Sequence, residues 1–223
     1  MGGISPLLSN LYLTEGDRRL ERAKEVTRFG KYTYGEDARC ADDLVILGDA
    51  YPRHDWLLTA VDRRLREELA ALHVEGNEEK SRIGDLAQGG SVGFLGCNFR
   101  RVRSLRGVWR PQYTPKLTQR TALLRKRKEV FRRFQSQPVH RVIAQSNPVL
   151  RGWGNYLAIG HASRCFSYVR DWVDKKVRRH LMRARKRRGF GWQRWSRPWL
   201  SETLGLYNGY RVRYLGPPPK ALP

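Results

Sequence analysis

Cys40-Ala41-Asp42-Asp43-Leu44-Val45-Ile46-Leu47-Gly48 sets two adjacent carboxylates directly before a short apolar run that closes at a glycine. A run this short and this apolar reads as a buried strand. Asp42-Asp43 then makes the turn of a hairpin whose other arm runs through Ala38-Arg39-Cys40. Two carboxylates on a tight turn can hold divalent metal ions, which in phosphoryl transfer activate a hydroxyl and stabilise the leaving oxygen. Taken alone the pair is more often an ordinary polar turn, so its surroundings decide its meaning.

Working outward, Ser5-Pro6 opens a helix-like apolar stretch to residue 13, with Ser5 as N-cap and Pro6 at the first helical position. Downstream, Leu58, Val61, Leu65, Leu69 and Leu72 recur at spacings of three and four. That spacing predicts an amphipathic helix with Asp55 as N-cap and Gly76 beyond its end. Residues 80–86 and 94–102 read as further strands, separated by the Gly89-Gly90 turn signal. Strand, helix, strand, strand is an α+β pattern.

After residue 112 the chain reads as all-helical. Thr114-Pro115 and Asn147-Pro148 both look like cap-plus-proline helix starts. A third helix is predicted over 163–188, stopping at Gly189, with Phe166, Val169, Val173, Val177 and Leu181 along its apolar face. From Gly205 onward the chain, rich in Gly, Tyr, Arg and Pro, reads as irregular.

Charge separates the same two regions. The formal net charge is +23, yet residues 1–112 hold 18 basic and 17 acidic side chains, against 26 and 4 in residues 113–223. An ordinary surface mixes signs, so the second region is built for a polyanion. Domains are therefore expected at 1–112 and 113–223. Cys40, Cys97 and Cys165 are far apart and lack zinc-ligand spacing, which implies a reducing compartment. No signal-peptide pattern and no apolar run near the ~20 residues of a membrane span is present, so a cytoplasmic or organelle-interior protein with no membrane partner is expected.

The neighbours of the carboxylate pair carry a resemblance. Residues 40–45 (CADDLV) resemble the ADD box of reverse transcriptases, and residues 2–13 (GGISPLLSNLYL) resemble the block just before it. Residues 77–83 (NEEKSRI) resemble the lysine-bearing block of the palm, and Phe94-Leu95-Gly96 the primer-grip block. Residues 147–156 (NPVLRGWGNY) and 192–214 (WQRWSRPWLSETLGLYNGYRVRY) are similar to the maturase-specific domain of group II intron-encoded proteins. The boxes come in the expected order at sensible spacing, which is far more specific than any one of them.

This resemblance implies a partial reverse transcriptase palm, an antiparallel sheet with helices, followed by a basic thumb and maturase domain. Asp42 and Asp43 would be metal ligands for Mg2+ or Mn2+ once the palm site is completed. Lys80 would protonate the leaving pyrophosphate, and Phe94, Leu95 and Gly96 would steady the primer. The family also uses a further aspartate on an earlier strand, and that strand, the fingers and the usual aromatic at position 40 are not in this sequence. Polymerase activity of this chain alone is therefore not expected. No zinc-ligand or His-Asn-His box follows the maturase region, so no endonuclease domain is expected.

The implied task is to bind structured group II intron RNA and assist its splicing. The alternative is a polymerase subunit completed by a second chain that carries the N-terminal half, with a DNA primer or target as a further partner. The expected RNA contacts are Arg125, Lys126, Arg127, Lys128, Arg132, Arg133, Arg151, Trp153, Tyr156, Lys175, Lys176, Arg178, Arg179, Arg183, Arg185, Lys186, Arg187, Arg188, Trp192 and Arg194. Cations neutralise phosphates and aromatics among them suit stacking on unpaired bases.

Overall fold

The computed structural model describes residues 5–213 except Thr27, Lys31, Ala50 and Glu75. Gly2, Gly3 and Ile4 of the resembling block, and Tyr214 with the proline-rich end, lie outside the described residues. The chain divides into two compact units, residues 1–95 and 96–223.

The first unit runs α1 (Ser5–Tyr12), α2 (Thr14–Val26), β1 (Arg28–Phe29), β2 (Tyr32–Thr33), β3 (Gly35–Cys40), β4 (Asp43–Gly48), α3 (Asp55–Ala71) and β5 (Ser91–Phe94). The expected hairpin is formed by β3 and β4, antiparallel, with Gly35 opposite Gly48 and Cys40 opposite Asp43. That register shifts the turn one residue from the sequence reading. Ala41-Asp42 makes it, and Asp43 is already in the strand. Ala41 adopts a φ of 57°, the positive φ that tight two-residue hairpin loops use to match strand twist. Arg39 holds this turn: its guanidinium donates to Ala41 O (2.8 Å), to Asn10 Oδ1 of α1 (2.9 Å) and to the Asp17 carboxylate of α2 (2.7 Å).

Three further expectations differ from what the structure shows. Asp55 is the first helical residue of α3 and His54 holds the cap position without a side-chain cap. Residues 81–85, within the strand predicted over 80–86, have no regular structure. Asn77 Oδ1 accepts from Lys80 N (3.1 Å) and Asp85 Oδ1 from Ala87 N (2.7 Å), so side chains take backbone donors that a ladder would need. The strand predicted over 94–102 is broken after Phe94, because Leu95 and Gly96 turn at φ values of 45° and 77°.

Among the residues of this unit whose burial is described, Leu57 alone is buried, while Leu11, Leu47, Trp56, Leu58 and Ile83 stand exposed.

The second unit is different in kind. It opens with the hairpin of β6 (Cys97–Arg103) and β7 (Trp109–Pro115), followed by α4 (Leu117–Arg133), α5 (Val139–Tyr156), α6 (Ser163–Ala184) and α7 (Arg197–Glu202). The three long helices pack through Leu123, Phe131, Val142, Ile143, Leu150, Val169, Val173 and Val177, closed by Trp195, Leu200 and Leu206. The side chains predicted for the apolar face of α6 are there, with Phe166, Val169, Val173 and Val177 buried.

Both proline signals mark something other than helix starts. Pro115 ends β7 opposite Cys97, and α4 begins at Leu117 behind Lys116. The extended backbone favoured before proline serves the strand end here. Asn147-Pro148 lies inside α5. Pro148 leaves the exposed Ala144 carbonyl without its helical donor. Asn147 works across the fold instead of capping: its Nδ2 donates to Gly205 O (2.7 Å), and Tyr207 N donates to its Oδ1 (2.9 Å). α6 ends at Ala184, short of the predicted 188, because nothing in 185–188 (RKRR) offers an apolar stripe to bury. β7 and the short α7, capped by Ser196 Oγ accepting from Trp199 N, carry no periodicity that announces them.

Candidate nucleic-acid interface

The acidic pair comes first in the chain. Asp42 and Asp43 are exposed, side by side at the end of the β3–β4 hairpin, and Lys80 is exposed in a turn after α3. Among the described residues no group of three or more His, Cys, Asp or Glu is placed to hold a metal ion. Two-metal chemistry needs a carboxylate that bridges both ions. Asp42 and Asp43 alone do not make up that site, so no step through a metal follows from these residues. Phe94 is half-buried at the end of β5, Leu95 is exposed, and Gly96 begins the second unit.

In the second unit the apolar stripes of α4 and α6 turn inward and their cations turn out. Arg125, Lys126, Lys128, Arg132 and Arg133 are exposed on α4, and Lys175, Arg179 and Arg183 on α6. The segment leaving α6 adds exposed Arg185, Lys186, Arg187 and Arg188. Lys176 shows that the two helices share one field. Its pKa is pushed below the usual lysine value by burial first, then by the charges of Arg179, Lys128, Arg183 and Lys175. Like charges brought this close repel one another, and a polyanion relieves that repulsion.

Not every predicted cation joins this face. Arg127 and Arg178 are 6% and 2% exposed. Arg127 Nη1 donates to Gln145 O (3.0 Å) and Arg178 Nε to Trp195 O (2.8 Å), so both act as ties within the core. Burial lowers the pKa of each, with Asp174 opposing the effect at Arg178. Arg151 is exposed along an open groove of α5 that Asn147, Pro148 and Asn155 also line.

The aromatics divide as well. Trp195 is buried, and Trp153, Trp172, Trp199, Tyr207 and Tyr210 pack against the core clusters. Tyr156 and Trp192 remain 62% and 50% exposed. Arg194 is exposed and lies 5.9 Å from the Trp195 ring.

The β6–β7 hairpin supplies cations that the sequence reading did not single out. Arg100, Arg101, Arg103, Arg106 and Arg110 are exposed along it, and Arg101 lies 4.5 Å from the ring of exposed Trp109. The available signal was the absence of any acidic residue between Asp85 and Glu129.

Residues 120–199 match the family model described as the group II intron, maturase-specific domain. The chain carries a maturase-specific domain. The matched span opens within α4 and closes within α7, so the maturase-specific domain includes the shared α4–α6 basic face and the arginine-rich segment after it. This match connects the chain with group II intron splicing. Comparison with curated proteins gives no match. Among the described residues, no helix is long and apolar enough to cross a membrane.

Proposed function

We propose that this chain binds structured group II intron RNA through the α4–α6 face and so favours the spliceable fold of the intron. The observation that carries this reading is the gathering of exposed Lys128, Lys175, Arg179 and Arg183 on two helices of the maturase-specific domain, where the charge of each acts on Lys176. Phosphates brought to that face relieve the repulsion and release counterions, which makes binding favourable and steeply salt-dependent. Splicing assistance then follows by linkage: a protein that binds the folded ribozyme more tightly than the unfolded one shifts the RNA toward the folded state. Residues 113–223 serve as thumb and maturase region in this reading, after a partial reverse transcriptase palm in 1–112.

The test is a binding titration against the intron of the same locus and a scrambled RNA of equal length, across a salt series. Preference for the intron at physiological salt supports the reading. Equal binding and equal release of both RNAs overturns it.

The β3–β4 hairpin, with Asp42 on its turn, favours a second reading. In it, the chain is a subunit of an RNA-directed DNA polymerase and becomes active when another chain supplies the fingers and the remaining palm aspartate. Primer extension with Mg2+, with and without a separately supplied N-terminal reverse transcriptase half, tests this. No extension in either case excludes it.

A further inference from the structure

We propose that Trp192 is a stacking platform for one unpaired base; the inference rests on the RNA-binding reading above and specifies which part of the RNA meets this surface. Trp192 keeps half its surface open, whereas Trp195, three residues on, is 3% exposed. The Arg178 guanidinium lies 4.3 Å from the Trp192 ring centroid. Arg178 is 2% exposed and its Nε is bonded to Trp195 O at 2.8 Å, so it is a fixed backing and cannot swing away like a surface arginine. Its Nη1 has no hydrogen-bond partner, although the Asp174 carboxylate lies 4.0 Å from it as a counter-charge. A buried guanidinium left partly unpaired is costly to a fold, and here its close companion is an exposed indole.

The loop that carries Trp192 is built to hold it there. Gly189 and Gly191 sit at φ values of 104° and 67°. A Cβ on Gly191 would come within 2.5 Å of the Trp195 ring, so the backbone lies directly on the core. Phe190 stands 6.5 Å from the Trp192 centroid at 38°, with Lys175 Nζ and the Arg179 guanidinium each 4.8 Å from its own ring. A rigid aromatic face beside several phosphate-binding cations is what an unpaired nucleotide requires: the base stacks while its flanking phosphates are neutralised. Bases inside a duplex are already stacked and cannot reach such a face. Trp109 with Arg101 and Tyr168 with Arg120 are also cation-paired, but Arg101 is exposed and Arg120 half-buried. Only at Trp192 among these pairs is the backing cation both buried and hydrogen-bonded to the backbone.

The experiment uses the full chain and its Trp192→Leu and Trp192→Phe variants, each checked by thermal melting. They are titrated with a short unstructured RNA strand, the same strand carrying abasic sites, and a fully paired RNA of equal charge. Trp192→Leu is expected to weaken binding of the unstructured strand roughly tenfold, and Trp192→Phe to restore most of it. Neither should change binding to the paired RNA, and the abasic strand should bind wild type and Trp192→Leu alike. The proposal is overturned if Trp192→Leu binds the unstructured strand as wild type does, or loses equally on paired RNA. Failure of the intron preference with the Trp192 effect intact removes the splicing reading and leaves the base platform. Intron preference without a Trp192 effect does the reverse.

Discussion

Arg197 Nε donates to Asp174 Oδ2 across 2.8 Å while its Nη2 donates to Asp171 Oδ1 across 2.6 Å, so a single arginine of α7 engages both carboxylates of α6. Residues 113–223 contain only four acidic side chains; this pairing occupies two of them and leaves the basic face of the same helix less opposed.

Asp174 is the buried centre of that arrangement, 3% exposed, with Arg178 Nη1 4.0 Å away. Replacing it with Ala leaves Arg178 buried without a counter-charge, and is expected to cost roughly 3 kcal/mol in urea denaturation at neutral pH. The pH dependence has a definite sign. Burial pushes the Asp174 pKa above its ordinary value of 3.8, with Arg197 opposing. The folded state therefore holds the proton more tightly, and this group's contribution to stability falls as pH rises from the ordinary value through the raised one. Asp174→Asn is expected to remove that slope. An unchanged slope would place the titration elsewhere.

Asn147 ties α5 to the segment after α7 through one donated and one accepted bond. Asn147→Ala loses both and is expected to destabilise the fold by about 2 kcal/mol. Asn147→Asp keeps the acceptor for Tyr207 N and should cost less. Equal losses for the two would mean that the bond to Gly205 O carries the effect.

On the basic face, changing Lys175, Arg179 and Arg183 to Gln one at a time should weaken RNA binding similarly for every sequence. Each should reduce the slope of log affinity against log salt by about 1. The same change at Arg127 should leave the slope unaltered and lower stability instead, because its guanidinium bonds Gln145 O inside the fold.

Burial differs so strongly between the units that amide exchange should report it directly. Leu57 is the one buried residue among those of the first unit whose burial is described, so α2 and the β3–β4 hairpin should exchange quickly. The centres of α5 and α6, around Val142, Leu150 and Val173, should be the slowest. Comparable protection of both units would show that the first gains a core from another source.

Thiol chemistry offers an independent check. Burial pushes the Cys97 and Cys165 thiols up, with Lys116 and Arg120 respectively opposing, while Cys40 is exposed. A maleimide pulse near neutral pH, read by mass spectrometry, should label Cys40 first and the other two slowly. Equal labelling under native conditions would contradict the packing around Cys97 and Cys165.

Much of this protein is determined locally, and those parts are legible in its sequence. The charge division needs only counting. The helical face of Phe166, Val169, Val173 and Val177 follows from a period that burial enforces, and the β3–β4 hairpin follows from an apolar run beside a polar turn. What the tertiary structure alone decided is the direction of individual polar groups. Within Arg125-Lys126-Arg127-Lys128, Arg127 falls four residues after Leu123 and four before Phe131, on the stripe that turns inward. A guanidinium is tolerated there because α5 presents the Gln145 carbonyl to it, and Arg178 is buried because the chain returns with Trp195 O and Trp192. Asn147-Pro148 reads as a helix start by itself, yet lies inside α5, because its side-chain partners arrive from residues 205–207. Partners supplied from distant parts of the chain leave no mark on local periodicity, and for a buried polar group the partner determines whether the burial can be sustained.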